Sequence, residues 1–287
     1  MDFIRKLGWR LVVLILLSGW VVNFTSTSNI SESTQTSLAV SVVAGFGFGF
    51  LFRRLRWIQH IDTWIHEFGH AAAATLFGAV PQSIRLNQDS SGVTNFKFKK
   101  MTGFREIVIS AAGPMATVTA LYLCVSMANK GLAFYMLPVI GFVVLVVLVS
   151  TVRSGFGWLV GILIWVTIGL AFVVSELPII GYYNAAAKEI YLGALLGIGS
   201  GVALRASFTR LRMHGGDGDE GKIAARLHVP EGLVDFSIFL LHIAVIWLAM
   251  SQLSVSTRLP DYVAQTPELQ TKVQEVIDWI RTLIPAK

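Results

Sequence analysis

Long apolar segments separated by short polar ones occupy most of the 287-residue chain. A helix crosses a bilayer with roughly 17–25 mainly apolar residues. The segments of about this length are 9–24, 37–52, 57–80, 107–128, 132–150, 155–174, 189–207 and 233–253. The pattern predicts an all-α polytopic membrane protein with about six to eight transmembrane helices, in which 57–80 is the weakest full span.

Residues 81–106 break this pattern, because polar and apolar positions alternate in two short runs. The runs are 83–86 and 93–99, and residues 89–92 between them have the composition of a turn. Alternation with period two on both sides of a turn predicts a small β-hairpin over 83–99. The free edge of such a hairpin could hold an extended peptide by strand addition.

Two clusters of small residues predict close helix packing. Gly193, Gly197 and Gly201 stand four apart, in the doubled G-x-x-x-G pattern that lets two helix backbones approach. The stretch 110–114, Ser-Ala-Ala-Gly-Pro, opens another apolar segment, and its proline is expected to bend or break that helix.

A polar loop over 208–232 precedes the last apolar segment. In it Asp219 could cap a short helix that runs to His228 and ends at Pro230. Further on, residues 266–284 have apolar positions at helical spacing. They predict an amphipathic helix on the membrane surface or on the protein itself.

The chain is expected to divide into three regions. An N-terminal transmembrane hairpin occupies 1–56, and its basic start lacks a small-residue cleavage site, so the first helix should remain uncleaved. A membrane core occupies 57–253 and includes the β-hairpin and the polar loop over 208–232. An amphipathic tail occupies 254–287.

Composition agrees with membrane insertion. Hydrophobic residues make up 54% of the chain and charged residues only 14%, whereas a soluble domain carries about 25% charged residues. In a membrane protein the net charge of +6 marks cytoplasmic loops rather than nucleic-acid binding. We therefore expect contact with a lipid bilayer and no nucleic-acid partner. The lone Cys124 permits neither an internal disulfide nor a cysteine-based metal site.

Basic loops give a partial orientation. The positive-inside rule places residues 97–105, Arg153 and the 208–232 loop on the cytoplasmic side, if each later apolar segment crosses once. The β-hairpin and the polar loop then share one side of the membrane. The basic residues at 53–56 fall on the other side if 57–80 spans, so either that helix is only partly inserted or the first two segments do not both cross.

The clearest chemical signal is His66-Glu67-Phe68-Gly69-His70, an H-E-x-x-H pattern within an apolar segment. Residues four apart share a helix face, so His66 and His70 can bind one metal ion, and Glu67 beside them can act as a general base. Ionisable side chains in an apolar helix are costly and by default functional. The alternative is a buried His and Glu network that only holds helices together.

A catalytic zinc site needs three protein ligands and an open position for water. The residues alone leave four candidates for the third ligand, His214, Asp217, Asp219 and Asp235. Acidic residues in a polar loop can also be simply solvated.

Three further ionisable residues lie near this chemistry in the sequence. Asp62, four positions before His66, could support a ligand histidine or could be an interfacial carboxylate. Asp235 and His242, seven positions apart in the last apolar segment, could line a water path to the metal or could pair with each other.

The chain resembles the site-2 protease family of intramembrane zinc metalloproteases. The matching parts are His66 to Ala71 in an apolar helix, the hairpin-like stretch after it, and the Ser-Ala-Ala-Gly-Pro segment at 110–114. The main branch's distal motif, N-x-x-P-x-x-x-L-D-G, is absent. The likeness is closer to a compact bacterial branch without a PDZ domain, in which a distal aspartate precedes a short helix and a hydrophobic-Pro pair, as in 219–230.

This resemblance implies a function and a ligand set. Asp219 is the implied third ligand and Asp217 the second choice, with one Zn²⁺ per chain. Glu67 is the implied general base of a zinc endopeptidase in a bacterial cell membrane, acting on membrane-embedded or membrane-adjacent protein substrates.

Two other function classes remain open from the residues. One is a membrane scaffold or regulator with a metal site but no proteolysis. The other is an ion transporter. An intact Glu67 favours the protease, because a structural metal site needs no base, and the lack of an internal repeat argues against the transporter.

Overall fold

A computed structural model describes residues 2–25, 32–52, 55–98, 101–176, 187–213 and 218–253. Each predicted apolar segment forms a helix over most of its length within these residues, and a two-stranded hairpin follows the third helix. The helices are α1 (Asp2–Thr25), α2 (Glu32–Leu51), α3 (Arg56–Leu76), α4 (Gly103–Asn129), α5 (Ala133–Ser150), α6 (Gly155–Glu176), α7 (Ala187–Met213), α8 (Asp219–Leu227) and α9 (Glu231–Ser251), and the strands are β1 (Val80–Leu86) and β2 (Gly92–Lys97). The predicted class, all-α with a small hairpin, is confirmed.

Three of the described helices are long and apolar enough to cross a membrane: α4, α7 over Ala187–Leu211, and α9. Shorter apolar helical stretches lie at Thr36–Leu51, Tyr135–Ser150 and Gly155–Ala171. The described residues thus contain three helices of spanning length and three shorter apolar stretches, where the sequence predicts about six to eight spans. Helix α3 is not among them, in line with its weak prediction as a full span.

Helix α3 ends earlier than the apolar pattern predicts. The expected segment ran to Val80, but the helix stops at Leu76 because Gly78 adopts a positive φ of 80°. The Gly78 N–H donates to the Thr75 carbonyl and the Ala79 N–H to the Ala74 carbonyl, both at 2.9 Å. This is the Schellman arrangement, which closes a helix end and turns the chain. Val80 therefore begins β1 instead.

The hairpin is antiparallel, and one of its edges is covered. Ile84 of β1 lies opposite Thr94 of β2. The Ile84 N–H donates to the Thr151 carbonyl, and the Arg153 N–H donates to the Ile84 carbonyl, each at 3.0 Å. The segment after α5 thus protects the outer side of β1. The strand bounds lie close to the predicted 83–99, with β1 starting three positions earlier.

The glycines at spacing four pack as predicted, and their partner is α2. A Cβ at Gly197 would lie 2.9 Å from the Phe46 N, and one at Gly201 would lie 2.7 Å from the Phe50 N. In return, a Cβ at Gly45 of α2 would lie 2.5 Å from the Ala194 carbonyl oxygen. Each helix therefore needs small residues because it rests directly on the other's backbone.

Helix α3 has two unlike faces, and this places the candidate site. Trp64 and Phe68 stack with ring centroids 6.1 Å apart, and Phe68 also stacks on Trp9 of α1 at 5.7 Å. The polar residues recur at helical spacing on the other face, which opens into a cavity: Gln59, Asp62, Thr63, His66, Glu67 and His70. Aromatic packing on one side thus turns the H-E-x-x-H residues toward the other.

The predicted amphipathic helix at 266–284 and the tail region 254–287 lie outside the described residues. The division of the chain into three regions stays a prediction.

Candidate metal centre

His66 and His70 meet because they are one helical turn apart on α3. Their ring centroids are 4.8 Å apart, and the two Nε2 atoms approach to 3.1 Å. The third member of the cluster is Asp219, whose Oδ2 lies 3.0 Å from each of these nitrogens. The sequence separates Asp219 from the histidines by about 150 positions, so only the fold brings them together.

Asp219 begins α8 but does not cap it. The expected cap role is wrong, because Gly218 occupies the N-cap position and makes no side-chain hydrogen bond there. The Asp219 carboxylate instead points one oxygen at the histidines and the other at Lys222, whose Nζ lies 3.1 Å from Oδ1. The short helix otherwise forms as predicted and ends at Leu227, just before Pro230.

The donor set of this cluster fits a cation. The Nδ1 of His70 is 2.7 Å from the Ile109 carbonyl, which can only accept, so Nδ1 carries a proton. In a neutral His70 the Nε2 atom then carries a lone pair, which points at the Asp219 carboxylate and at the Nε2 of His66. A cation between these atoms would satisfy all three of them. Ligands of a tetrahedral ion with bonds of about 2.0–2.1 Å lie roughly 3.3 Å apart, close to the separations here.

Gly113 provides the space beside this cluster. A Cβ at this position would overlap the His70 ring and would lie 2.7 Å from the Nε2 of His66. Gly113 precedes Pro114, which sits inside the continuous helix α4 and does not break it. The His70 ring therefore occupies the space that a side chain at position 113 would need, and only glycine lets the donor atoms lie so close to α4.

The same helix contact explains the other small residues in both motifs. A Cβ at Gly69 would lie 2.5 Å from the Ala112 carbonyl and 2.6 Å from the Cβ of Ala116. Helices α3 and α4 are therefore as close as their backbones permit at the level of the cluster. The small residues of 110–114 serve this approach, as the sequence predicted.

The surroundings of Asp219 keep its carboxylate ionised. Burial by itself would raise the pKa of Asp219, but the hydrogen bonds and the electrostatic interactions with His66 and His70 outweigh it. The pKa of Asp219 therefore lies well below its ordinary value. A metal ligand must be deprotonated, so this shift suits the role.

Glu67 is buried next to the histidines and is held by the hairpin. Its Oε2 accepts a 2.7 Å hydrogen bond from the Thr94 hydroxyl. The backbone of β2 lies directly over the carboxylate, since a Cβ at Gly92 would be 2.6 Å from Oε1. The general-base candidate is thus fixed in place by two residues of the same strand face.

A cavity of about 730 Å³ opens onto the cluster. Its walls come from α3, β2, α4, α7 and α8, and His66, Glu67, His70 and Asp219 all line it. The hairpin turn is tied to its rim by the Thr63 hydroxyl, which donates to the Ser90 carbonyl at 2.8 Å. The cavity gives the cluster room for water and for part of a peptide.

The remaining candidate residues are spread more widely. Asp62 lines the cavity and accepts a 2.8 Å hydrogen bond from Thr117. His242 is buried and bonds Ser207 through Nδ1 and the Pro114 carbonyl through Nε2, each at 2.8 Å, so its ring is not paired with Asp235. Neither His242 nor Asp235 is among the described residues that line the cavity.

Two of the sequence's candidate ligands, His214 and Asp217, lie outside the described residues. Among the residues that the structure does describe, the group able to hold a metal ion is His66, His70 and Asp219.

The sequence pattern does not mark Gly113, Thr94 or the Ile109 carbonyl as parts of the site. Gly113 belongs to the small-residue stretch at 110–114, but that pattern by itself indicates only close helix packing. Thr94 carried no signal beyond its place in an alternating strand.

Comparison with known proteins agrees with this geometry. The family model described as Peptidase M50B-like matches residues 38–249, a range that includes all four site residues and the hairpin. No curated protein and no solved structure matches the chain. Peptidase M50 proteins are in general membrane-embedded zinc metalloproteases. The chain therefore belongs to the Peptidase M50B-like family, within the site-2 protease family of membrane metalloproteases.

Proposed function

We propose that the chain is a zinc-dependent endopeptidase that cleaves membrane-embedded or membrane-adjacent proteins. The observation that carries this proposal is the convergence of three donor atoms beside a buried glutamate. The Nε2 atoms of His66 and His70 and the Oδ2 of Asp219 lie 3.0–3.1 Å from one another. Two histidines and a carboxylate are a set of three protein ligands found in catalytic zinc sites, which leave a position open for water.

Helix α4 is long and apolar enough to cross a membrane, so the position of the cluster along α4 suits hydrolysis within the membrane layer. Gly113 follows the start of α4 by ten positions, which corresponds to about 15 Å along a helix. A site at this depth needs its own water supply, and the cavity in front of the cluster provides the volume for it.

The residues divide the reaction between them. A bound zinc ion supplies Lewis acidity and makes a water molecule acidic near neutral pH. Glu67 takes a proton from the attacking water as its oxygen adds to the peptide carbonyl carbon. Glu67 then returns that proton to the amine as the C–N bond breaks, so one carboxylate serves first as base and then as acid.

The open edge of β2 supports a way of holding the substrate. The N–H and the carbonyl of Ile84 are hydrogen-bonded to Thr151 and Arg153, so they point away from β2. The Ile84–Thr94 pair is therefore a non-hydrogen-bonded pair of the β1–β2 ladder. The peptide groups of Thr94 consequently face away from β1. Among the described residues no backbone group hydrogen-bonds them, so they can pair with an extended peptide, which strand addition would place along the cavity wall.

An extended substrate is also what the chemistry requires. Peptide bonds of an intact transmembrane helix are engaged in its internal hydrogen bonds. A substrate helix must therefore unwind locally before a carbonyl can reach the cluster, and the edge of β2 offers replacement hydrogen bonds to the unwound segment.

The experiment uses purified full-length protein in lipid vesicles with a model transmembrane substrate. Wild type should cleave the substrate, lose activity when a chelator strips the metal and regain it with Zn²⁺. Asp219→Ala should bind zinc weakly, whereas Asp217→Ala should bind it as wild type does. Zinc-loaded wild type that cleaves no transmembrane substrate would contradict the proposal, and normal zinc affinity in Asp219→Ala would contradict the ligand set.

A further inference from the structure

We propose that Thr94 is a positioning residue that sets the direction of the Glu67 carboxylate and couples it to the bound peptide. The proposal rests on the function proposed above, because it assigns a role within that reaction. It adds a positioning side chain on β2 to a centre whose metal ligands and base lie on α3 and α8.

The first observation is the hydrogen bond itself. The Thr94 hydroxyl lies 2.7 Å from Oε2 of Glu67 and 3.1 Å from the Glu67 backbone carbonyl. A hydroxyl has one proton, and the shorter contact is to the carboxylate, so the proton is directed mainly there. The bond fixes one of the two carboxylate oxygens.

The second observation concerns the other oxygen. Gly92, two positions before Thr94 and on the same face of β2, leaves the space that Oε1 of Glu67 occupies. The strand therefore supplies a donor at one oxygen and a close backbone surface at the other. A glutamate side chain with three rotatable bonds is held in one arrangement, so little side-chain freedom remains to be lost when the reaction begins.

The third observation connects this contact to the substrate. The peptide groups of Thr94 face the open edge of β2, as the pairing of Ile84 shows. A peptide added at that edge would hydrogen-bond the backbone of the same residue whose side chain holds the base. Any shift of the strand when the peptide binds would move the Glu67 carboxylate with it.

This arrangement makes a specific kinetic prediction. Thr94→Val keeps the branched side chain, the strand preference and both backbone groups but removes the donor. It should lower kcat on the order of 10- to 100-fold, because a base in the wrong position accelerates proton transfer less. It should leave KM unchanged. Thr94→Ser retains the hydroxyl and should restore most of kcat.

The test measures kcat, KM and zinc content in vesicles for wild type, Thr94→Val, Thr94→Ser and Glu67→Gln. Ser83→Ala is the matched control, since it removes a hairpin hydrogen bond, from the Asn95 amide at 3.1 Å, that does not involve Glu67. Affinity for a peptide spanning the cleavage site is measured on the metal-free protein, where Thr94→Val should match wild type.

A fall in kcat for Thr94→Val alone, with zinc content and peptide affinity kept, supports the role. The role of Thr94 is overturned by wild-type kcat in Thr94→Val, by an equal fall of kcat in Thr94→Ser, or by a loss of peptide affinity in Thr94→Val. In each of these cases an inactive Glu67→Gln variant leaves the protease proposal standing. A Glu67→Gln protein that cleaves normally overturns both.

Discussion

The Cα of Gly113 faces the imidazole of His70 so closely that a methyl group on it would overlap the ring. This contact links the small-residue stretch of α4 to the H-E-x-x-H pattern of α3. It gives the glycine a role beyond helix packing, since the space left by its missing side chain is the space that the His70 ring occupies.

Gly113→Ala should therefore remove the metal. The added carbon would lie 2.7 Å from the Nε2 of His66 and would collide with His70, so at least one ring must leave its position. We expect zinc content per chain to fall far below that of wild type, measured by elemental analysis after gel filtration. Gly169→Ala is the control, because a Cβ there meets nothing within 4 Å; equal zinc in both variants would contradict the contact.

Gly92→Ala should separate metal binding from activity. Its Cβ would lie 2.6 Å from Oε1 and 2.8 Å from Cδ of Glu67, so the carboxylate must move while the three ligands stay. We expect zinc content near that of wild type and a kcat reduced on the order of 10- to 100-fold. Loss of zinc in this variant would show that the hairpin supports the ligands rather than the base.

Lys222→Met should have a small effect. The Lys222 ammonium pairs with Oδ1 of Asp219 at 3.1 Å, but its side chain is 54% exposed. Exposed ion pairs contribute about 0–1 kcal/mol and are screened by salt. Zinc affinity, followed by competition with a chelator, should change by less than about tenfold and the difference should shrink as salt is raised. A larger loss would mean that Lys222 determines how Asp219 is oriented.

Two glycines of α2 should respond in opposite ways to alanine. A Cβ at Gly45 would lie 2.5 Å from the Ala194 carbonyl oxygen, whereas one at Gly47 meets nothing within 4 Å. Gly45→Ala should destabilise the protein by about 1–3 kcal/mol through overpacking. Gly47→Ala should be neutral or should add up to about 1 kcal/mol of helix preference. Thermal unfolding in detergent measures both, and equal midpoints would argue against the α2–α7 contact.

Much of the fold could be predicted because membrane helices and strands leave local patterns. The apolar segments, the alternation around 89–92 and the spacing of Gly193, Gly197 and Gly201 each depend on nearby residues. The end of α3 was missed because the apolar pattern continues through Val80, while the backbone turns at Gly78. A single glycine overrode the composition there.

The site was predictable only where its chemistry is local. His66 and His70 share a helix face by spacing alone. Asp219 was chosen by family resemblance, because loop composition does not say which carboxylate will reach a site on another helix. The contacts made by Gly113 and Thr94 depend on how α4 and β2 pack against α3, and no pattern within one element records that packing.

In the proposed mechanism a zinc-bound cluster works with Glu67 to hydrolyse peptide bonds in the membrane. The most direct test is cleavage of a model transmembrane substrate by Glu67→Gln protein that is loaded with zinc to the wild-type level. Glutamine keeps the size of the side chain and removes the base, so zinc should be retained and cleavage should fall by about 10²- to 10⁴-fold. Cleavage at the wild-type rate by this zinc-loaded variant would contradict the account.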